Sequence, residues 1–269
     1  ADAPRAFANL TDRTSDHYRT AVHPIASLLL STPTLALTKL GLSAETAARL
    51  VLALGAGGLA SAFFLLIHRL SGRLIDAAVF TALLICSSAF IFFSPVFELY
   101  AWAGLTVVLA LLGATLVGRF RRVALVAGLI ASMSITITNV MTGFAAALTR
   151  RGLRGAIQAG LIAFGCLAVL AAIQSNFYPT SGRFLSILEE RNYTDFSIAQ
   201  RVVDVPRVAL IGSVVLDRLA PATDHVGNPF VTSQSGPTTF GWAGVPAALG
   251  WVLLLVGGGI AAWRRIHAD

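Results

Sequence analysis

Residues 121–154 read RRVALVAGLIASMSITITNVMTGFAAALTRRGLR, and the path of the whole chain turns on them. The middle of this stretch, 123–148, is apolar overall. It is interrupted by Ser132, Ser134, Thr136, Thr138, Asn139 and Thr142, and arginines flank it on both sides. About 20 apolar residues suffice to cross a bilayer as a helix, and basic residues mark the cytoplasmic flanks of such crossings. A single crossing would leave one of the two arginine clusters outside. The charge pattern therefore predicts a re-entrant helical hairpin over 123–148, with its tip near Thr138 and Asn139. Irregular backbone at that depth is tolerated only where it is buried in protein or lines a watery cavity. An ordinary span that breaks the charge rule is the alternative.

Five further blocks have spanning length: 46–67, 74–93, 96–117, 155–174 and 241–263. The composition agrees with them. Of 269 residues, 56% are hydrophobic and 12% charged, with a mean hydropathy of +0.76. Soluble domains average about 45–50% apolar and about 25% charged. A soluble enzyme, a disulfide scaffold, a coiled coil and a disordered chain are excluded on that ground. The expected fold is an all-α polytopic membrane protein of five transmembrane helices plus the re-entrant hairpin, with surface helices in the external loops. It divides into an external loop with a surface helix (1–45), a bundle (46–174), an external loop (175–240) and a last helix with its tail (241–269).

The net charge is +7, and nineteen of the twenty basic residues are arginine, with Lys39 the exception. Clusters occur at Arg69 and Arg73, at Arg119, Arg121 and Arg122, at Arg150, Arg151 and Arg154, and at Arg264 and Arg265. They sit at the ends of apolar blocks and form no basic stripe interleaved with aromatics, so nucleic acid is not an expected partner. With every cluster in the cytoplasm, 1–45 and 175–240 face outward. The latter carries five arginines and six acidic residues, the balance of a translocated segment. Phe177, Tyr178, Phe240 and Trp242 fall at the outer interface, where an aromatic belt belongs. The apolar run 205–216 is too short to span and reads as an interfacial helix. A bacterial inner membrane with the long loops periplasmic fits this arrangement. A chain entering from outside calls for a cleaved signal peptide or a preceding transmembrane helix, and the helix is the preferred reading.

Familiar motifs are few. Gly55 to Ala60 fits a loose dinucleotide pattern but follows no strand. Packing is the better reading, with Ala53, Gly57 and Ser61 as a face of small residues for close helix approach. Cys86 and Cys166 lie inside apolar blocks and read as packing residues. No metal-ligand spacing and no cofactor motif is present.

The densest polar run is Asp12-Arg13-Thr14-Ser15-Asp16-His17-Tyr18-Arg19, followed by His23-Pro24 and a short apolar segment, 24–30. Carboxylate and imidazole are groups that move protons, and guanidinium clamps phosphate. The bland alternative is a solvated loop in which His23 caps the turn before Pro24. A polar acidic loop, then His-Pro with a surface helix, then a transmembrane bundle resembles the GT-C superfamily over about residues 9–120. These are integral membrane glycosyltransferases that use polyprenyl-phosphate-linked sugars.

The resemblance implies sugar transfer at the outer face, with a catalytic carboxylate at Asp12 or Asp16, between which it does not choose. Arg19, His23, Glu98, Tyr100 and Arg207 are the candidate substrate-binding residues. Glu98 follows Ser94-Pro95 near the outer end of a span, where a carboxylate is costly unless it faces a cavity or partner. Asp76 lies beside Arg73 and reads as a local ion pair. The expected partners are membrane lipids and the polyprenyl-phosphate-sugar donor. The rival reading is a non-catalytic membrane subunit that binds other membrane proteins.

Overall fold

The computed structural model describes residues 2–17, 22–118 and 120–182, the backbone of 218–223 and 229–234, and isolated positions between 249 and 260. It forms two compact units: residues 2–86 with 92–195, and residue 1 with 87–91 and 196–269. In the second unit β1 (Arg218–Thr223) pairs antiparallel with β2 (Pro229–Gln234), Arg218 opposite Gln234. The expected spans and interfacial helix at 241–263 and 205–216 lie outside the described residues, apart from isolated backbone positions in the former.

The first unit is helical. Helix α1 (Asp2–Thr11) is followed by a π-helical turn, Ser27–Ser31, that runs directly into α2 (Thr32–Lys39). Helix α3 (Ala44–Ser71) starts where the Ser43 hydroxyl accepts the Thr46 N–H at 3.2 Å, a side-chain cap for an orphan donor. Glu45 in its first turn holds Arg49 at 2.7 Å. The helix stops at Gly72, whose φ of 71° puts it in the left-handed region that glycine enters without a Cβ clash. Its 28 residues span roughly 42 Å at about 1.5 Å per residue. Then come α4 (Leu74–Ile85), α5 (Ser88–Phe93, whose first four residues belong to the other unit), α6 (Tyr100–Thr115), α7 (Arg121–Ile135), a 3-10 turn at Ile137–Asn139, and α8 (Val140–Phe177).

Two helical runs among the described residues are long and apolar enough to cross a membrane, Ala44–Ser71 and Ile137–Phe177. The block expected at 74–93 is divided instead. Helix α4 ends at Ile85, and the Ser87 hydroxyl accepts the Phe90 N–H at 3.2 Å to start α5. The block expected from 96 becomes helical only at Tyr100, after Pro95, which has no N–H to donate.

Close contacts fix the helix directions. Helices α3 and α6 run parallel. The Trp102 indole lies on Gly55 and donates to the Val51 carbonyl at 3.0 Å, and further along Ala62 and Leu66 pack with Val108. Helices α6 and α7 run antiparallel, Gly113 against Ala124 and Gly128 against Ala110. The first limb of α8, 140–151, returns along α7, with Gly143 against Leu129 and Ser132. At Gly152 the backbone takes φ 66°, ψ 177°, a conformation that only glycine adopts cheaply. The chain reverses there. The second limb, 153–177, packs back on the first: Ala156, Ala159 and Ala163 cluster with Ala147 and Leu129.

These pairings put Arg69, Arg73, Arg121, Arg122, Arg150, Arg151 and Arg154 at one end of the unit. At the other end α1, the Ser27–Ser31 turn and α2 meet the starts of α3 and α6 and the turn at 136–139. Leu10, Ala26, Leu30, Ala48, Val51, Leu52 and Ile135 form a core there. Breaking a helix leaves backbone groups without partners, and residues 22–25 supply them. Ile25 N–H donates to Ser134 O and Ile137 N–H donates to Val22 O, both at 3.1 Å. His23 Nδ1 lies 2.5 Å from Ile135 O. Gln174, 1% exposed, accepts the Leu28 N–H at 2.9 Å and donates to Pro24 O at 2.8 Å.

Large apolar side chains cover the outside, among them Leu54, Leu65, Ile75, Phe80, Leu83, Leu161 and Val169. Cys86 and Cys166 are exposed rather than packed. The packing face of α3 is also not the expected one. Ala53, Gly57 and Ser61 point outward, and close approach occurs at Gly55 and Gly58, against Trp102 and Leu105. Small residues recur on several faces of α3, and the shape of the aromatic partner selects among them.

Candidate functional site

A cavity of about 70 Å³ opens at the end away from the arginine clusters. Its polar lining is Arg5, Asn9, His17, His23, Ser27, Ser31 and Glu98, and its apolar lining includes Leu10, Leu30 and Phe97. Helix α1 supplies Arg5 and Asn9, the loop behind it His17, and the segment that meets the 136–139 turn supplies His23 and Ser27. Glu98 arrives from the non-helical approach to α6, where Pro95 interrupts the helix.

His17 is the best-anchored group. It is 1% exposed. Its Nε2 faces Asp12 O at 3.1 Å and its Nδ1 faces the Ser27 hydroxyl at 2.7 Å. A carbonyl only accepts, so Nε2 carries the proton and Nδ1 accepts from Ser27. Tyr178 presents its ring edge-on at 5.0 Å and shares a hydrogen bond of 2.9 Å with the Thr32 hydroxyl. Burial holds the imidazole below its ordinary pKa, against the opposing pull of the Asp12 carbonyl, Asp12 and Asp16. Burial likewise raises Tyr178. Both groups are kept neutral.

The sequence-derived candidates divide. His23 and Glu98 line the cavity, with His23 Nδ1 donating to Ile135 O. Asp12 does not line it. Its carboxylate accepts the Thr14 N–H and hydroxyl, each at 2.8 Å, and these bonds, the backbone one foremost, lower its pKa. Asp16 is exposed and also outside the lining. Tyr100 is half exposed, its ring 4.5 Å from that of Phe93. Arg19 and Arg207 lie outside the described residues. Asp76 sits 3.9 Å from Arg73, as an ion pair of neighbouring turns.

Arg5, His17 and Ser27 were not singled out from the sequence. Arg5 stands alone near the start of the chain. His17 gains its meaning from Tyr178 and Thr180, which follow α8; the Thr180 hydroxyl accepts the His17 N–H at 3.4 Å. No local spacing announces such a pairing. Chemically the site offers one guanidinium, two imidazoles, two hydroxyls and a carboxylate around a small volume, a set suited to an anionic group beside a proton acceptor. Comparison with known proteins gives no matching family model, no matching curated protein and no matching solved structure.

Proposed function

We propose that this chain is a membrane-embedded glycosyltransferase of the GT-C kind, taking sugar from a polyprenyl-phosphate donor at the outer face. The observation that carries the reading is the cavity just described. A guanidinium, two imidazoles and a carboxylate converge at one end of an apolar bundle, away from its arginine clusters. In this reading α3, α4, α6, the second limb of α8 and 241–263 cross the bilayer, and α7 with the first limb of α8 is re-entrant. Support comes from three arginine clusters gathered at one end, which the positive-inside rule assigns to the cytoplasm, and from apolar side chains on the outer helix faces.

Within the cavity Arg5 holds the phosphate, and charge stabilisation of that departing group is the largest contribution the protein makes. Glu98 takes the proton of the acceptor hydroxyl as the acceptor oxygen bonds to the sugar and the sugar–phosphate bond breaks. It takes the place of Asp12 and Asp16 because it lines the cavity and they do not. The test is release of polyprenyl phosphate by the full chain in liposomes supplied with a polyprenyl-phosphate-linked sugar and a hydroxyl-bearing acceptor. Glu98→Gln should lower turnover by about a hundredfold or more, the usual scale for a positioned proton-transfer group, and Asp12→Asn should leave it near wild type. A folded protein that neither turns over nor binds polyprenyl phosphate overturns the proposal in favour of a non-catalytic membrane subunit.

A further inference from the structure

A second concavity lies at the opposite end of the same unit, between α7 and the second limb of α8. It measures about 480 Å³. Val126 and Ile130 line it from α7, and Gln158 and Ile162 from α8, with Arg122 and Arg151 at its mouth. Two features of the chain make this mouth strongly cationic. No Asp or Glu occurs between Glu98 and Glu189, while Arg121, Arg122, Arg150, Arg151 and Arg154 all fall in that interval. The carboxylate of Asp76 at this end lies beside Arg73. Helix α7 also starts here, so the positive end of its backbone dipole adds to the field.

Arg151 is held in place as well. It is half-buried, and its side chain runs across Gly155: a Cβ at that position would come within 2.6 Å of Arg151 Cβ and 3.2 Å of its Nε. Glycine at 155 leaves the room that the Arg151 side chain crosses.

We propose that this groove binds an anionic phospholipid, its phosphodiester between Arg122 and Arg151 and an acyl chain along the apolar wall. Guanidinium pairs with phosphate oxygens through two parallel hydrogen bonds, and basic recesses between membrane helices on the cytoplasmic side suit such headgroups. The apolar wall running on from the two arginines favours a lipid over a free phosphate, which would have nothing to place there. The inference uses the membrane placement given above but not the transfer chemistry.

The test is native mass spectrometry of the full chain released from nanodiscs of phosphatidylcholine with a minority of phosphatidylglycerol. Wild type should retain phosphatidylglycerol well above its share of the bilayer. Arg122→Gln with Arg151→Gln should cut retention by about fivefold for each arginine lost, the scale of one surface cation against an anionic lipid. Arg69→Gln with Arg73→Gln, equal in charge but outside the groove, should retain wild-type levels, and Gly155→Ala should lose lipid with no change in charge. Should Gly155→Ala fail to fold, the two double variants decide. Equal loss in both double variants, or displacement of the lipid by inorganic phosphate, overturns the assignment. A chain inactive as a transferase still answers this test, because it reads bound lipid alone.

Discussion

His17 shows how one side chain ties chemistry to stability. Its ring is buried and neutral, so the folded chain resists a proton that the unfolded chain accepts. Between the lowered folded pKa and the ordinary value near 6.5, the unfolded state therefore carries more protons, and stability rises with pH across that window. The contribution is complete above about pH 6.5 and disappears as the pH falls through the folded value. Thermal melting in detergent from about pH 7.5 down to about pH 5 should show a falling midpoint. His17→Phe, which packs without titrating, should flatten the fall; an unchanged slope in that variant would show that other groups cause it. The sequence displayed His17 among its polar neighbours, but not its burial. That depends on Tyr178 and Ser27, which approach it only after the chain has folded.

At the scale of elements, Gly152 does what no other residue in α8 does. The sequence separates 123–148 from 155–174 at Arg150, Arg151 and Arg154, and the two limbs lie side by side because one φ there is positive. Gly152→Ala forces a Cβ into that conformation at a cost of about 1–3 kcal/mol, and nothing stands within 4 Å to be disturbed otherwise. The expected outcome is a lower melting midpoint with the lipid groove and outer cavity loosened together. Stability equal to wild type would mean that the backbone is not held at this turn. How much of this was legible follows from the residues. Hydroxyl and amide side chains at 132–142 pointed to a turn near Thr138 and Asn139, and the helical path turns at 136–139. By contrast, hydropathy gave no warning that 74–93 divides at Cys86 and Ser87, because a capping serine is a local hydrogen-bond event inside an apolar run. The small-residue face of α3 was likewise misjudged, since Gly55 is selected by the Trp102 ring rather than by its own neighbours.

For the whole molecule, the arrangement of charge makes a prediction about sidedness. If the arginine-bearing end is cytoplasmic, single cysteines at positions 122 and 151, introduced with Cys86→Ala and Cys166→Ala, should both resist an impermeant thiol reagent added outside intact cells. Cysteines at positions 14 and 180 should both react. Labelling of 122 and 151 from opposite sides would contradict a hairpin and restore an ordinary span. The candidate site was legible only in part for a related reason. His23 and Glu98 stood out as polar groups beside proline at the edge of apolar blocks, whereas Asp12 drew notice for its charge, which Thr14 engages.

The bonds between residues 22–25 and the turn at 136–139 have a consequence for synthesis. A ribosome delivers Val22 and Ile25 long before Ser134 and Ile137, and Pro24 and Leu28 longer still before Gln174. Until α7 and the turn after it emerge, Val22 and Ile25 lack these partners, and until α8 is complete Pro24 and Leu28 lack Gln174. The wall that carries His23 and Ser27 is therefore tied down only once residues 134–137 and 174 have been made. A nascent chain halted before residue 174 would hold every residue that lines the cavity, without the amide that joins Pro24 to Leu28.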